Sequence, residues 1–303
     1  MNMQRALAAT LALGVVAAIS YFIVGGTPDH NSNAGPSASS SDSERSASGD
    51  NNQEPPLPRG SFEDAKKSID PAVFQPLGAK AYQIVRLEDA RPPGDALEYI
   101  QSLAPRSKSG DALATFSIYL AVSDCRNYLG GAADRGPATQ TVESTDLRNL
   151  EKTERKISEC AALASAPDII DEKWLAIAAH QGSVEAKLYY SIDPNSVIGN
   201  SADRISHPEK LIEWKDHSIS YLREAAGTGN VDAIARLSST YENGILVDQN
   251  LELAYAYALA ANMTKPDSSG PALIKNLESN LSAGQRVSGE LLSRSIYKSC
   301  CTL

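Results

Sequence analysis

Two stretches of this chain repeat one another 47 residues apart, and this constrains the fold more than any other feature. Residues 174–190 read WLAIAAHQGSVEAKLYY, and residues 221–237 read YLREAAGTGNVDAIARL. Under the offset, Trp174 falls on Tyr221, and Ala178 and Ala179 fall on Ala225 and Ala226. Gly182 falls on Gly229, Val184 on Val231, Glu185 on Asp232 and Ala186 on Ala233. Self-similarity at such a period marks an array of units that bury their apolar faces against their neighbours.

The physics of one unit follows from its residues. An aromatic and an alanine four positions later share one face of a helix. Small alanines let a second helix approach closely, and the aromatic fills the remaining gap. The glycine after the alanine pair stands where the helix must stop, because it takes positive φ without strain. A second helix then carries Ala233, Leu237 and Tyr241 on one stripe and ends at Asn243-Gly244. Asn250 is a suitable N-cap for a third helix with Ala254, Tyr257, Ala258 and Ala261 on one face. A weaker copy lies upstream, where Ala96, Tyr99 and Leu103 precede Gly110, Ala114, Ile118 and Val122. Aromatics make up only 6% of the chain, which suits closely packed helices and argues against a β-sandwich.

The run Tyr221-x3-Ala225-Ala226-x2-Gly229-x3-Ala233-x3-Leu237-x3-Tyr241-x2-Gly244, continued by Asn250, Ala254, Tyr257 and Ala261, resembles the Sel-like repeat, a relative of the tetratricopeptide repeat. The resemblance is specific over 221–261, partial over 174–190 and degenerate over 96–122. Leu246 stands where that family has a second glycine, and Asn250 where it has aspartate. Insertions at about 127–156 and 193–210 interrupt the period. The resemblance implies an all-α fold, a short irregular solenoid of antiparallel helix pairs over residues 61–303, with a protein-interaction role. On the face formed by the first helix of each pair, Glu185, Tyr189, Asp232, Arg236 and Ser239 are the candidate partner contacts. Ordinary solvated surface is the alternative for each. A capping helix is expected at about 282–298, with Ser282 and Gln285 as a capping box. Val287, Leu291 and Ile296 are expected against the last repeat, and Arg286, Glu290 and Arg294 outward.

The N-terminal part reads as targeting and tether. Ala6 to Val24 holds no charged residue, is long enough to span a membrane, and follows Arg5. Residues 1–26 are therefore a transmembrane anchor or a cleaved signal peptide. With no lysine or arginine from there to Arg45, the body is expected outside the cytoplasm. That places it on the periplasmic side of an inner membrane, or free in the periplasm or secreted after cleavage. Residues 27–60 are rich in Ser, Asn and Pro and read as a disordered linker.

Export permits disulfides. A Cys125–Cys160 bridge would close a glycine-rich loop, two reduced core cysteines being the alternative. Cys300 and Cys301 are expected to play no part, because neighbouring cysteines rarely reach disulfide geometry together. Pairing with other chains and reversible capping are the other possibilities.

Catalytic signals are weak. Gly227-Thr228-Gly229 starts like a phosphate loop, but Asp232 replaces the third glycine, so a helix end is expected. Ser295 and Lys298 have Ser-x-x-Lys spacing without partner motifs. His207, Glu213, Asp216 and His217 lack metal-ligand spacing and read as a solvated face. His180 is expected to be exposed at its helix end. No cofactor or metal is implied. The net charge of −9 argues against nucleic acid as a partner. The expected function is a non-enzymatic envelope scaffold binding a protein or peptide. The alternative is an envelope enzyme or accessory domain with a site formed by the insertions.

Overall fold

The computed structural model describes residues 56–86, 91–129, 147–266 and 270–302. The expected anchor or signal segment at 1–26 and the linker up to residue 55 lie outside them. No helix among the described residues is long and apolar enough to cross a membrane.

The chain is mostly helical, and its helices stack in sequence order. Helices α2 (Ala96–Lys108), α3 (Ala112–Leu129) and α4 (Leu147–Cys160) pack together. Helix α5 (Pro167–Asp171) leads to α6 (Trp174–His180) and α7 (Val184–Tyr190). Two short helices, α8 (Pro194–Val197) and α9 (Ser201–Ser206), occupy the second insertion. Then come α10 (Pro208–Gly227), α11 (Val231–Asn243), α12 (Leu251–Thr264), α13 (Gly270–Ser279) and α14 (Ala283–Cys301). Contacts run α3 to α6, α6 to α7, α7 to α10, α10 to α11, α11 to α12 and α12 to α14.

The repeat residues behave as their types require. Ala178, Ala186, Ala225, Ala233 and Ala254 are buried, with Leu237, Tyr241 and Tyr257 between them. Trp174, Tyr221 and Ala261 are half-buried. Gly182 and Gly229 end their helices at φ 101° and 94°. At Gly229 a side chain would also collide with the Lys80 and Cys300 carbonyls. Gly244 ends α11 at φ 67°. Ser183, Asn230 and Asn250 cap α7, α11 and α12 by accepting backbone N–H bonds.

Four expectations need correction. The described fold is not purely helical. Helix α1 (Phe62–Lys67) is followed by a hairpin, β1 (Phe74–Pro76) antiparallel to β2 (Tyr82–Ile84). Phe62, Phe74 and Tyr82 pack ring to ring, and β2 lies against α11. Second, α12 is apolar around its circumference rather than on one face. It lies between α11 and α14, so Leu253, Tyr255, Ala256 and Ala260 are buried as well. Third, α14 starts at the Ser282 capping box, but Val287 and Leu291 are exposed. Its inward stripe is Gly289, Ser293, Ile296 and Cys300. Gly289 allows this because Tyr255 lies where a side chain would stand. Fourth, Cys300 and Cys301 are bonded to each other and buried at the end of α14.

Cys125 and Cys160 are joined, with Cα atoms 5.4 Å apart, which ties α3 to α4. Beside the bridge the buried Arg91 guanidinium donates to Glu159 Oε2 (2.9 Å) and to the Gly94 carbonyl (2.7 Å). Lys156 pairs with Asp124 at 3.2 Å. Tyr119 donates to Asp193 at 2.8 Å, which fixes the start of the second insertion to α3.

Candidate functional site

The residues that open β2 and follow it lie across the N-terminal turns of α7 and α11. An extended segment presents alternate residues to one side, and here residues 82, 84 and 86 are the ones engaged. Tyr82 N–H donates to the Gly229 carbonyl at 3.0 Å, and its hydroxyl lies 2.7 Å from the Thr228 hydroxyl. Ile84 N–H donates to Asp232 Oδ2 at 2.9 Å. The Arg86 guanidinium donates to Glu185 Oε1 at 2.7 Å. Glu185 and Asp232 are the acids matched by the 47-residue offset, so successive units each supply one carboxylate to the same strap.

Beyond Arg86 a cavity of about 480 Å³ opens. It is lined by Ile84, Arg86, Glu185, Leu188, Tyr189, Asp232, Ala235 and Arg236. Tyr189 and Arg236 are also matched by the offset. Four of the five candidate contacts therefore converge on one cavity, built from equivalent positions of two units. Ser239 lines a second pocket of about 200 Å³, with Ser238, Asn262, Lys265 and Leu273. The two pockets share Asp232 and the exposed Ala235.

The expected surface is less solvated than a plain helix face. Glu185 is only 1% exposed, and its Oε2 has no hydrogen-bond partner. Burial pushes its carboxyl above the usual carboxylate range, against the pull of Arg86. Burial also raises the Asp232 carboxyl, opposed by the Ile84 N–H and by the charges of Arg236 and Lys265. Burial lowers the Arg236 guanidinium, opposed by Asp232 and Tyr189. Among the described residues Arg236 makes no hydrogen bond and no ion pair within 4.0 Å, although it is half-buried. Its side chain is thus partly desolvated without a fixed partner.

The other candidates separate from this site. Thr228 and Gly229 form a helix end that receives β2, and Gly227 lies against the Pro58 carbonyl. His207 pairs with Glu209 at 3.1 Å, while Glu213, Asp216, His217 and His180 are exposed. No cluster of His, Cys, Asp or Glu among the described residues could hold a metal ion. Arg86 and Ile84 carry no repeat signal in the sequence. They precede the repeats, and their partners are 99 and 148 residues away.

No family model matches the chain, and no curated protein matches its sequence. One solved structure is similar over 68% of this chain at 18% identity, with a TM-score of 0.26. It is c5321, a protective antigen present in uropathogenic Escherichia coli strains and displaying an SLR fold. The chain spans 57% of the length of that protein.

Proposed function

We propose that this chain is a non-enzymatic helical-repeat scaffold, a short irregular solenoid of the Sel-like kind that binds a protein or peptide partner. The observation that carries this reading is the convergence of repeat-equivalent residues on one cavity. Glu185 and Asp232, and then Tyr189 and Arg236, line it in pairs. A repeat array generates such a surface by stacking equivalent positions side by side. The binding face is that of α7 and α11. The body works in a cell envelope, tethered by residues 1–26 or released from them. The uncharged run from Ala6 to Val24 and the Cys125–Cys160 bridge, which suits an oxidising compartment, support that location.

Site-specific photo-crosslinking in intact envelopes tests the binding face. A crosslinker at position 189 should yield a discrete adduct, and one at the exposed Ile212 on α10 should not. Arg236→Glu should abolish the adduct without lowering the melting temperature. Equal adducts from both positions, or loss of the fold in the variant, would overturn the assignment. Membrane fractionation with N-terminal sequencing tests the tether. An uncleaved anchor predicts sedimentation with membranes and a start near Met1.

A further inference from the structure

The groove over α11 has a charge pattern that specifies what should enter it. Its two pockets meet at Ala235, whose methyl group leaves an extended chain free to cross the helix. The described residues lining them contribute the cations Arg86, Arg236 and Lys265 and the carboxylates Glu185 and Asp232. This is a local surplus of positive charge on a chain of net charge −9. Arg86 is committed to Glu185, and Asp232 Oδ2 is committed to the Ile84 N–H. Of the two arginines lining the groove, Arg236 has no fixed acceptor among the described residues. Taking a guanidinium half out of water without one is unfavourable. A carboxylate matches its planar fork with two parallel hydrogen bonds. In the second pocket, buried Asn262 Oδ1 also lacks a hydrogen-bond partner. The chain's own strap shows the mode of engagement, since residues 82, 84 and 86 are held along one side of an extended segment.

We propose that this groove binds an extended peptide segment with an acidic side chain, whose carboxylate is received by Arg236 while the backbone crosses Ala235 toward Asn262. The inference rests on the scaffold reading and names the chemistry of its partner. The 480 Å³ cavity has the size of a site for a few residues.

The test uses the full chain in mild detergent and a positional-scanning library of nonapeptides. Selection of Asp or Glu at one position is expected. Replacing that residue by Asn or Gln should weaken binding about 10- to 100-fold, the worth of a charge-assisted pair. Arg236→Lys should keep a weakened acidic preference, and Arg236→Gln should lose it while melting with the wild type. Selection without an acidic position overturns the proposal. So does acidic selection that survives Arg236→Gln, and so does an absence of any retained peptide. The scaffold reading is judged separately by the crosslink from position 189, so the two can fail independently.

Discussion

Around α2 to α4 the helices are joined by a covalent bridge and a buried guanidinium; around α11 to α14 they are joined by alanines. Cys125–Cys160 and the Arg91 cluster hold the first region, whose loop 130–146 lies outside the described residues. In the second region Ala233, Ala254, Ala256 and Ala260 are fully buried between helices that touch along their length. The regular repeat builds a core from side chains of the right size at the right period. The irregular part, where the period is interrupted, relies on a few specific long-range links. Regular packing spreads stability over many small contacts, whereas the links concentrate it.

That contrast ranks the effects of substitution. Arg91→Ala should cost most, about 3–5 kcal/mol, because it removes a buried cation shared by Glu159 and Asp124 and leaves the Gly94 carbonyl without its donor. Chemical denaturation measures this, and a loss near that of a surface residue would mean the cluster is incidental. Cys125→Ser should cost about 3–4 kcal/mol on the chain-entropy model for a separation of 35 residues. Non-reducing mass spectrometry should show the crosslink in the wild type, and free thiols at both positions would remove this half of the comparison. Ala256→Leu should cost about 1–3 kcal/mol by overpacking α12. If it matched Arg91→Ala, stability in the repeat would be as concentrated as in the linked region.

The smallest effect is a pH dependence. Asp232 has a folded-state carboxyl raised above its unfolded value, so the folded state holds the proton more tightly. Its contribution to stability is present below the unfolded value and is lost as pH rises through the folded one. Asp232→Asn should flatten that part of the profile, since an amide oxygen can still accept from Ile84. Melting temperatures of both proteins across the acidic range up to neutrality would show it. Parallel profiles would mean that this carboxyl does not titrate differently on folding.

The repeat was legible because its signals are local. Gly182 and Gly229 follow their alanine pairs at the same spacing, and the cap at Asn250 sits within three residues of the amide it binds. That four of the five candidate positions line one cavity has a related reason, as equivalent positions on stacked helices share a face. The hairpin was not legible, because three-residue strands carry too little alternation to stand out. The inward face of α14 was misread because both of its sides are apolar, and Gly289, not a large residue, marks the contact. The Cys300–Cys301 bond runs against the rule that neighbouring cysteines pair poorly, and no residue around them signals it.

What the sequence determined by itself is the helical repeat: where helices stop, which alanines touch, and which positions recur side by side. These depend on backbone preference and side-chain size within a few turns. Only the tertiary structure decided that the strap from Tyr82 to Arg86 crosses those positions. It thereby neutralises Glu185 and engages Asp232, while Arg236 has no acceptor among the described residues. Such pairings depend on which distant segments meet, and no local pattern encodes a meeting across 99 or 148 residues.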